Sequence, residues 1–535
     1  MSSISPEQTQ DAWQAHCYQG CHVDSAAQCQ LTVLQALASQ ALRCPQAPVF
    51  TEVDAGGKRH TLTFRQLDIL SQAGAAWLHE SAGIRPQQVF GLVPLNDLRS
   101  VVAIFSAMRL GARIAFLDPY APPARHLSIM NQLGVTLVIR SEQDEQGVDA
   151  RVFPRLADLP APGNMPLVTE SDGEVFYFPT SGSTAASKIV AQTYRAITAN
   201  ALAVKQHHRL QPGDRFLGCL PIHHVNGLHF SIMATVFCGS HAILLRGFDP
   251  FQYPQMLADF SPRIASVVPS ILQALVDTWR DAAVPQGFEY FVSAAAPLTR
   301  KTAESVWNRW GLRVLQGYGL TETINFSTTL PTGLSRAAYA RQMLEPDIPS
   351  IGVQVAGNEV AILRPDGTPA ASGENGEICV RGHNVMARYV GNREATAQAF
   401  QHGWFHTGDI GHTREDAEAG AGFVVITGRE KNIAKIRGES VSLEEMERLL
   451  QTIAGVRDVA CSAIPDRLLG ESIVIALDAE AHVEDAQVLT RLRGHFSEAL
   501  LPRRILRVEK IPRTRTGKLL RPQLTEQLQT ALMSM

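Results

Sequence analysis

Leu31, Leu34, Leu37, Ala38 and Ala41 recur at helical spacing, predicting an amphipathic helix over residues 31–42 that Pro45 ends. From there to about residue 330, apolar runs of strand length alternate with helical patterns. Residues 88–93, 113–117, 136–140, 242–245 and 265–268 read as strands, and 100–110 and 270–279 as helices. Such alternation predicts an α/β architecture with largely parallel sheets. Between 351 and 427 the texture changes to short β-like segments (359–363, 377–381, 422–427), separated by turns such as Pro365-Asp366-Gly367. This part reads as a small β-rich unit. After Gly428 the pattern is α+β: Leu443, Met446, Leu449 and Leu450 share one face of a helix over 442–453, and 459–464 and 472–477 read as strands.

The expected organisation is therefore a loose polar arm over 1–30, a large domain over 31–430 and a smaller C-terminal domain over 431–535. Hydrophobic residues make up 45% of the chain and charged residues 19%, which supplies a core and excludes wholesale disorder. A net charge of −3 gives no global field for nucleic acid. Eight cysteines in 535 residues are too sparse for a disulfide scaffold. With no signal-like N-terminus and no apolar run of membrane-spanning length, a cytoplasmic protein without a membrane span is expected. One local anomaly stands out. Residues 503–521 hold eight basic side chains and a single acid, Glu509. They form either a solvated surface or a positive lobe that meets phosphates.

Five segments carry chemistry-bearing residues. Thr180-Ser181-Gly182-Ser183-Thr184-Ala185-Ala186-Ser187-Lys188 follows a strand-like run. Small residues let backbone N–H groups and hydroxyls approach an anion, and the lysine adds a point charge. The alternative is a flexible Ser-rich connector. It is not a Walker loop, because Ile189 follows Lys188. In Gln316-Gly317-Tyr318-Gly319-Leu320-Thr321-Glu322-Thr323, paired glycines would expose one face of Tyr318 to a flat base. Glu322 offers a hard oxygen to Mg²⁺, although the segment alone reads equally as a turn. Asp409, in the Gly-bounded turn 403–411, is placed either to accept two ribose hydroxyls or to support its own turn. Gly428-Arg429-Glu430-Lys431, followed by Ile436-Arg437-Gly438, falls at the change of texture, as an interdomain joint or a charged turn. Pro512-Arg513-Thr514-Arg515-Thr516-Gly517-Lys518 puts a lysine on a Gly-bearing loop inside the basic tract.

Together and in this order, the five segments resemble the adenylate-forming superfamily of acyl- and aryl-CoA synthetases, nonribosomal adenylation domains and firefly luciferase. The resemblance covers residues from about 30 to 525 and takes in Pro221-Ile222-His223-His224-Val225-Asn226-Gly227, Ser293-Ala294-Ala295-Ala296-Pro297-Leu298 and Ile464-Pro465-Asp466. It implies that Thr180, Ser181, Gly182, Ser183, Thr184 and Lys188 cradle the β- and γ-phosphates of ATP. Tyr318, between Gly317 and Gly319, would pack on adenine, with Ala295, Ala296 and Pro297 on the opposite wall. The fold that the resemblance implies is a large domain of two mostly parallel sheets with helices and a small β-barrel-like unit, followed by a smaller mobile α+β domain. Thr321 would contact the α-phosphate, Glu322 would bind Mg²⁺, and Asp409 and Arg429 would hold the ribose. The resemblance further implies Lys431 as a hinge, Lys518 as the mobile catalytic lysine, and Arg437 and Gly438 beside a thiol tunnel. His224 would line the acyl pocket or gate that tunnel, the alternative being a satisfied core histidine, and Val225, Asn226, Phe230, Ala294, Ile324 and Asn325 are the acyl-pocket candidates. The sequence departs from the family pattern at Ala185 (usually Gly), Ser187 (usually Pro), Ala294 (often Gly) and Leu443 (usually Pro).

The implied reaction joins ATP and a small carboxylic acid into an acyl-adenylate, releases pyrophosphate, and passes the acyl group to the thiol of CoA. The alternative acceptor is the phosphopantetheine of a carrier protein acting in trans. An α-amino acid is disfavoured, because no Asp stands in 223–227 to hold an ammonium. A degenerate, non-catalytic nucleotide-binding protein finds support only in Ala185 and Ser187. Neither His223-His224 nor the pair His16-Cys17 and Cys21-His22 has the spacing of a zinc site. The acid and the oligomeric state, monomer or homodimer, stay open.

Overall fold

The computed structural model describes residues 10–23, 31–54, 56–142, 148–162, 173–180, 188–280, 283–436, 439–466, 469–514 and 517–533. The chain forms two compact units. The first comprises Met1–Arg336, Ile351–Val360 and Cys379–His406, and the second Ala337–Ser350, Ala361–Ile378 and Thr407–Met535.

The first unit is built on two large sheets. One runs in the order Arg388–Tyr389, Ile189–Thr193, Glu174–Pro179, Arg113–Phe116, Val89–Val93, Val138–Arg140 and Arg151–Val152. The other runs Val353–Gln354, Thr328–Thr329, Arg313–Tyr318, Tyr290–Ser293, Ile264–Val267, Arg215–Gly218, His241–Leu245, Pro48–Val53 and Arg59–Thr63. Central strands pair in parallel and antiparallel pairs sit at the edges. The parallel strands read as continuous apolar runs because helices cover both faces. Helix Leu98–Leu110 is buried along its length; Asp97 caps it by accepting the Ser100 N–H at 2.7 Å, and Gly111, at φ 72°, ends it. Helix Val33–Arg43 follows the predicted span, opened by a Thr32–Gln35 capping box.

The expectation of an irregular arm is corrected for residues 10–23. Helix Gln10–Ala15 leads into a hairpin of Cys17–Tyr18 and Cys21–His22. The segment is too short for periodicity to show, and distant partners order it. His16 Nε2 lies 2.9 Å from the Met386 carbonyl, His383 Nε2 lies 2.9 Å from the Cys21 carbonyl, and the Gln19 N–H donates to Glu359 at 2.7 Å.

In the second unit, strands Ile433–Ile436, Glu439–Ser442, Val456–Asp466, Gly470–Ala479 and Arg504–Arg507 form one sheet. Helix Leu443–Gln451 buries Leu443, Met446, Leu449 and Leu450, the face its sequence pattern marks out. Strands Trp404–Asp416 and Ala421–Arg429 pair antiparallel, bringing Asp409 opposite Arg429. No helix among the described residues is long and apolar enough to cross a membrane.

Candidate active site

The Thr180 N–H donates to the Lys188 carbonyl at 2.8 Å, closing the base of the small-residue loop. Ser181, Gly182, Ser183 and Thr184 lie outside the described residues, as do Ala185 and Ser187. The Lys188 ammonium sits 4.6 Å over the ring of Tyr389, and the Tyr389 hydroxyl donates to Glu322 Oε1 at 2.8 Å. One aromatic side chain thus links the lysine and the carboxylate that the sequence singles out separately. Burial, followed by the Glu322 charge, pushes the Tyr389 phenol far above its usual range, so it stays a donor. Its hydroxyl occupies only one carboxylate oxygen, and a carboxylate with a second oxygen to offer fits a hard cation such as Mg²⁺.

Thr321–Thr323 forms a short 3₁₀ turn whose successive carbonyls are held by different elements. Gln192 Nε2 donates to the Thr321 carbonyl at 3.0 Å, the Met386 N–H to that of Glu322 at 2.7 Å, and Asn384 Nδ2 to that of Thr323 at 2.9 Å. Immediately after it, Ile324 adopts φ 64°, ψ −55°, and the Asn325 N–H closes a γ-turn onto the Thr323 carbonyl at 2.6 Å. This conformation is strained for a β-branched residue and persists only where surrounding contacts enforce it.

The expected open face of Tyr318 is corrected, since its relative exposure is only 7%. The flanking glycines serve close packing instead. A Cβ on Gly317 would lie 2.6 Å from the Phe326 ring, and one on Gly319 only 1.4 Å from the Asn325 carbonyl oxygen. Ala294 is buried, while Ala295, Ala296 and Pro297 continue beyond strand Tyr290–Ser293 with more exposure; Ala295 is itself left-handed at φ 71°.

His224 is exposed and precedes helix Val225–Leu228, whereas His223 is buried with Nε2 3.4 Å from Asp118. Asn226 Oδ1 accepts from Ser266 Oγ at 3.0 Å, and Val225 is half-buried beside it. Phe230 is 1% exposed and meets Phe326 at a ring separation of 5.9 Å, so helix and γ-turn candidates come together. Ile324 and Asn325 are likewise buried. Asn96 braces the 220–222 backbone: its Nδ2 donates to the Leu220 and Leu245 carbonyls and its Oδ1 accepts the Ile222 N–H, each at 3.0 Å.

In the second unit, Arg429 Nε donates to Asp409 Oδ1 at 2.8 Å, and Asp409 is 3% exposed. Its turn is fixed by Gly408 at φ 70°, whose N–H donates to Glu377 at 2.8 Å, and by Thr407, whose hydroxyl donates to the Ile378 carbonyl at 2.6 Å. Lys431 lies in the 3₁₀ turn Glu430–Asn432. Partial desolvation, then the Arg429 charge, pushes its ammonium below the usual lysine range. Lys518 follows Gly517, at φ 82°; its N–H donates to Thr514 Oγ1 at 3.1 Å. Arg437 and Gly438 lie outside the described residues.

Four arginines of the basic tract are paired with acids, which lowers its net positive charge. Arg503 pairs with Asp466, Arg507 with Asp485 at 2.7 Å, Arg513 with Asp458 at 2.7 Å and Arg521 with Glu447 at 2.7 Å. Every one of these acids comes from outside 503–521, where a local count does not see it.

The family model described as AMP-binding enzyme matches residues 37–390, and that of the AMP-binding enzyme C-terminal domain matches 445–518. This chain belongs to the AMP-binding family of adenylate-forming enzymes. The sulfoacetate–CoA ligase of Cupriavidus necator is 28% identical over 514 residues, covering 92% of this chain and 96% of its own. The 4-coumarate–CoA ligase 1 of Oryza sativa subsp. japonica is 28% identical over 515 residues, covering 89% of each. Among solved structures, o-succinylbenzoate CoA synthetase from Bacillus subtilis, in complex with its acyl-adenylate intermediate, matches with a TM-score of 0.81. Its identity is 23%, with 91% of this chain and 97% of that chain covered. The same synthetase has been solved with ATP and a magnesium ion, matching at TM-score 0.80 and 23% identity, over 91% of this chain and 98% of that one.

For an AMP-binding enzyme of the acid–CoA ligase kind, the sequence reading missed the residues that brace the 321–323 turn: Gln192, Asn384, Met386 and Tyr389. One signal was available. Gln192 is a polar residue on a short strand whose neighbours Val190 and Ala191 are fully buried, and it too is fully buried.

Proposed function

We propose that the chain activates a small carboxylic acid with ATP, forming an acyl-adenylate and pyrophosphate, and then transfers the acyl group to the thiol of CoA. The observation that carries this reading is the Lys188–Tyr389–Glu322 constellation at the base of the small-residue loop. It sets a cation and a hard-oxygen ligand on one rigid ring.

Both reactants of the first half-reaction are anions. Two unit charges at about 4 Å repel by roughly 1 kcal/mol in water and about 4 kcal/mol at an effective dielectric of about 20. Lys188 and Lys518 would offset that repulsion, and Glu322 would hold Mg²⁺, which neutralises phosphate charge when bound. The carboxylate is already ionised near neutral pH, so no general base is required. Asp409 and Arg429 would hold the ribose, Thr321 the α-phosphate, and the loop after Thr180 the outer phosphates. Ala295–Pro297, which are more exposed, would form a wall of the adenine site, with the acid lying between Val225–Phe230 and Ala294, Ile324 and Asn325. His224 would stand at the acid or thiol entrance, and Lys431 would be the hinge between half-reactions.

The test is acid-dependent ATP–pyrophosphate exchange over a panel of aryl, short, medium and long-chain acids, with CoA and a phosphopantetheinylated carrier added afterwards. Exchange with one acid class, followed by acyl-CoA formation, is the expected result. Lys518→Ala should slow exchange by about 10²–10³ while leaving transfer from a preformed adenylate nearly intact. Equal losses in both half-reactions would remove Lys518 from the first step. Acylation of the carrier and not of CoA would replace CoA as acceptor, and no exchange with any acid would overturn the reading.

A further inference from the structure

His229 and Gln192 are 1% and 0% exposed, and neither is given contact with a substrate in the function proposed above. They form a continuous hydrogen-bonded line. Gln192 Nε2 donates to the Thr321 carbonyl at 3.0 Å, and His229 Nε2 lies 2.8 Å from Gln192 Oε1. Chemistry fixes every direction along it. A backbone carbonyl only accepts, so the Gln192 NH₂ must face Thr321. Its Oε1 therefore faces His229 and also only accepts, which makes His229 Nε2 the protonated nitrogen.

The other ring nitrogen, Nδ1, is buried with no hydrogen-bond partner among the described residues. The ring lies 6.1 and 6.2 Å from those of Phe176 and Phe178, an apolar surround that holds the imidazole neutral. His229 also opens a π-helical turn, His229–Met233, which departs from the regular α-helical ladder. Two fully buried polar side chains and one unsatisfied nitrogen are a costly way to fill a core; a pair of leucines would fill it with no unmade bond. What the polar pair provides is a directed contact on one atom, the carbonyl preceding Glu322 and three residues before the strained Ile324.

We propose that Gln192 and His229 act as a buried strut that fixes the Thr321 carbonyl and so positions the Thr321–Glu322 turn for adenylation. They are positioning residues, and the assignment to adenylation rests on the function proposed above.

The test compares Gln192→Leu, His229→Leu, the double variant and His229→Gln, which keeps a donor near the Nε2 position. Each is assayed by pyrophosphate exchange across a Mg²⁺ titration, by acyl transfer from preformed adenylate, and by amide hydrogen exchange over residues 320–326. The leucine variants should lower exchange kcat by about 10- to 100-fold and raise the Mg²⁺ requirement, with acyl transfer nearly unchanged. Amides 320–326 should exchange faster. The double variant should be no worse than either single one, because the strut acts as a unit. His229→Gln should restore most of the loss; it also keeps the proposal testable if a leucine variant does not fold. Unaltered hydrogen exchange at 320–326 overturns the strut. Faster hydrogen exchange with normal pyrophosphate exchange overturns the positioning role. If the unmodified protein shows no pyrophosphate exchange, the proposed function fails instead, and hydrogen exchange alone decides the strut.

Discussion

The Tyr389 hydroxyl donates to Glu322 Oε1 at 2.8 Å from a ring whose face carries the Lys188 ammonium 4.6 Å away. The two parts of this side chain are separable by mutation. Tyr389→Phe keeps the face and loses the hydroxyl. It should raise the Mg²⁺ concentration for half-maximal pyrophosphate exchange by about tenfold, with a stability cost of only about 1 kcal/mol. Tyr389→Leu should lose the cation–π contact as well and weaken ATP binding further. Identical Mg²⁺ curves for Tyr389→Phe and the unmodified protein would disconnect the tyrosine from the metal-ligand candidate.

Gly319→Ala places a methyl where the Asn325 carbonyl oxygen stands, 1.4 Å away. Backbone has to move, and the segment that moves includes the γ-turn at Ile324. Exchange activity should fall by at least about 10²-fold. Stability should fall by about 2 kcal/mol or more, read from urea midpoints. Retention of full activity would show that the 317–326 segment is far softer than its packing indicates.

Two buried histidines, His208 and His229, and two half-buried ones, His207 and His241, make the fold acid-sensitive. Burial pushes His229 down to about 3 and His241 down to about 4, and lowers His207 and His208 as well. Below about pH 6.5 the unfolded chain binds protons at these sites and the folded chain does not. Their contribution is therefore fully present above pH 6.5 and is lost as pH falls toward the folded values. Each strongly shifted histidine should cost roughly 1.4 kcal/mol per pH unit within that window. Urea midpoints at pH 7.5, 6.5 and 5.5 should decline accordingly, with a shallower slope in His229→Gln. A midpoint flat from pH 7.5 to 5.5 would contradict the neutral state of these rings.

Asp409 is buried and accepts from Arg429 at 2.8 Å. Asp409→Asn keeps shape and removes the charge, so ATP affinity measured by calorimetry should weaken by about tenfold or more. Arg429→Lys loses the planar fork but keeps the charge and should weaken it less than Arg429→Ala. Unchanged ATP affinity in Asp409→Asn would remove that carboxylate from the nucleotide site.

Much of the architecture is legible in the sequence because local patterning and tertiary burial agree. The Leu443–Leu450 stripe is a helix face in both, and the apolar runs at 89–93 and 264–267 are parallel strands covered on both sides. The polar hairpin at 17–22 has no such stripe; its order comes from His383, Met386 and Glu359, far along the chain. The same holds for the site. Lys188 and Glu322 announce themselves by residue type, but Tyr389, Gln192 and Asn384 act through long-range contacts that spacing does not encode. The arginines of 503–521 mislead for the matching reason, since their carboxylate partners lie on other elements.

The first hairpin reaches further than its size implies. His16 lies 2.9 Å from the carbonyl of Met386, the residue whose N–H holds the Glu322 carbonyl at 2.7 Å. The leading residues are thus a splint on the peptide that supports the metal-ligand candidate. Trimming them should loosen the candidate site, and a chain begun at residue 31 should show a higher Mg²⁺ requirement for exchange than the full chain. A purification tag is best placed where it does not pull on that splint.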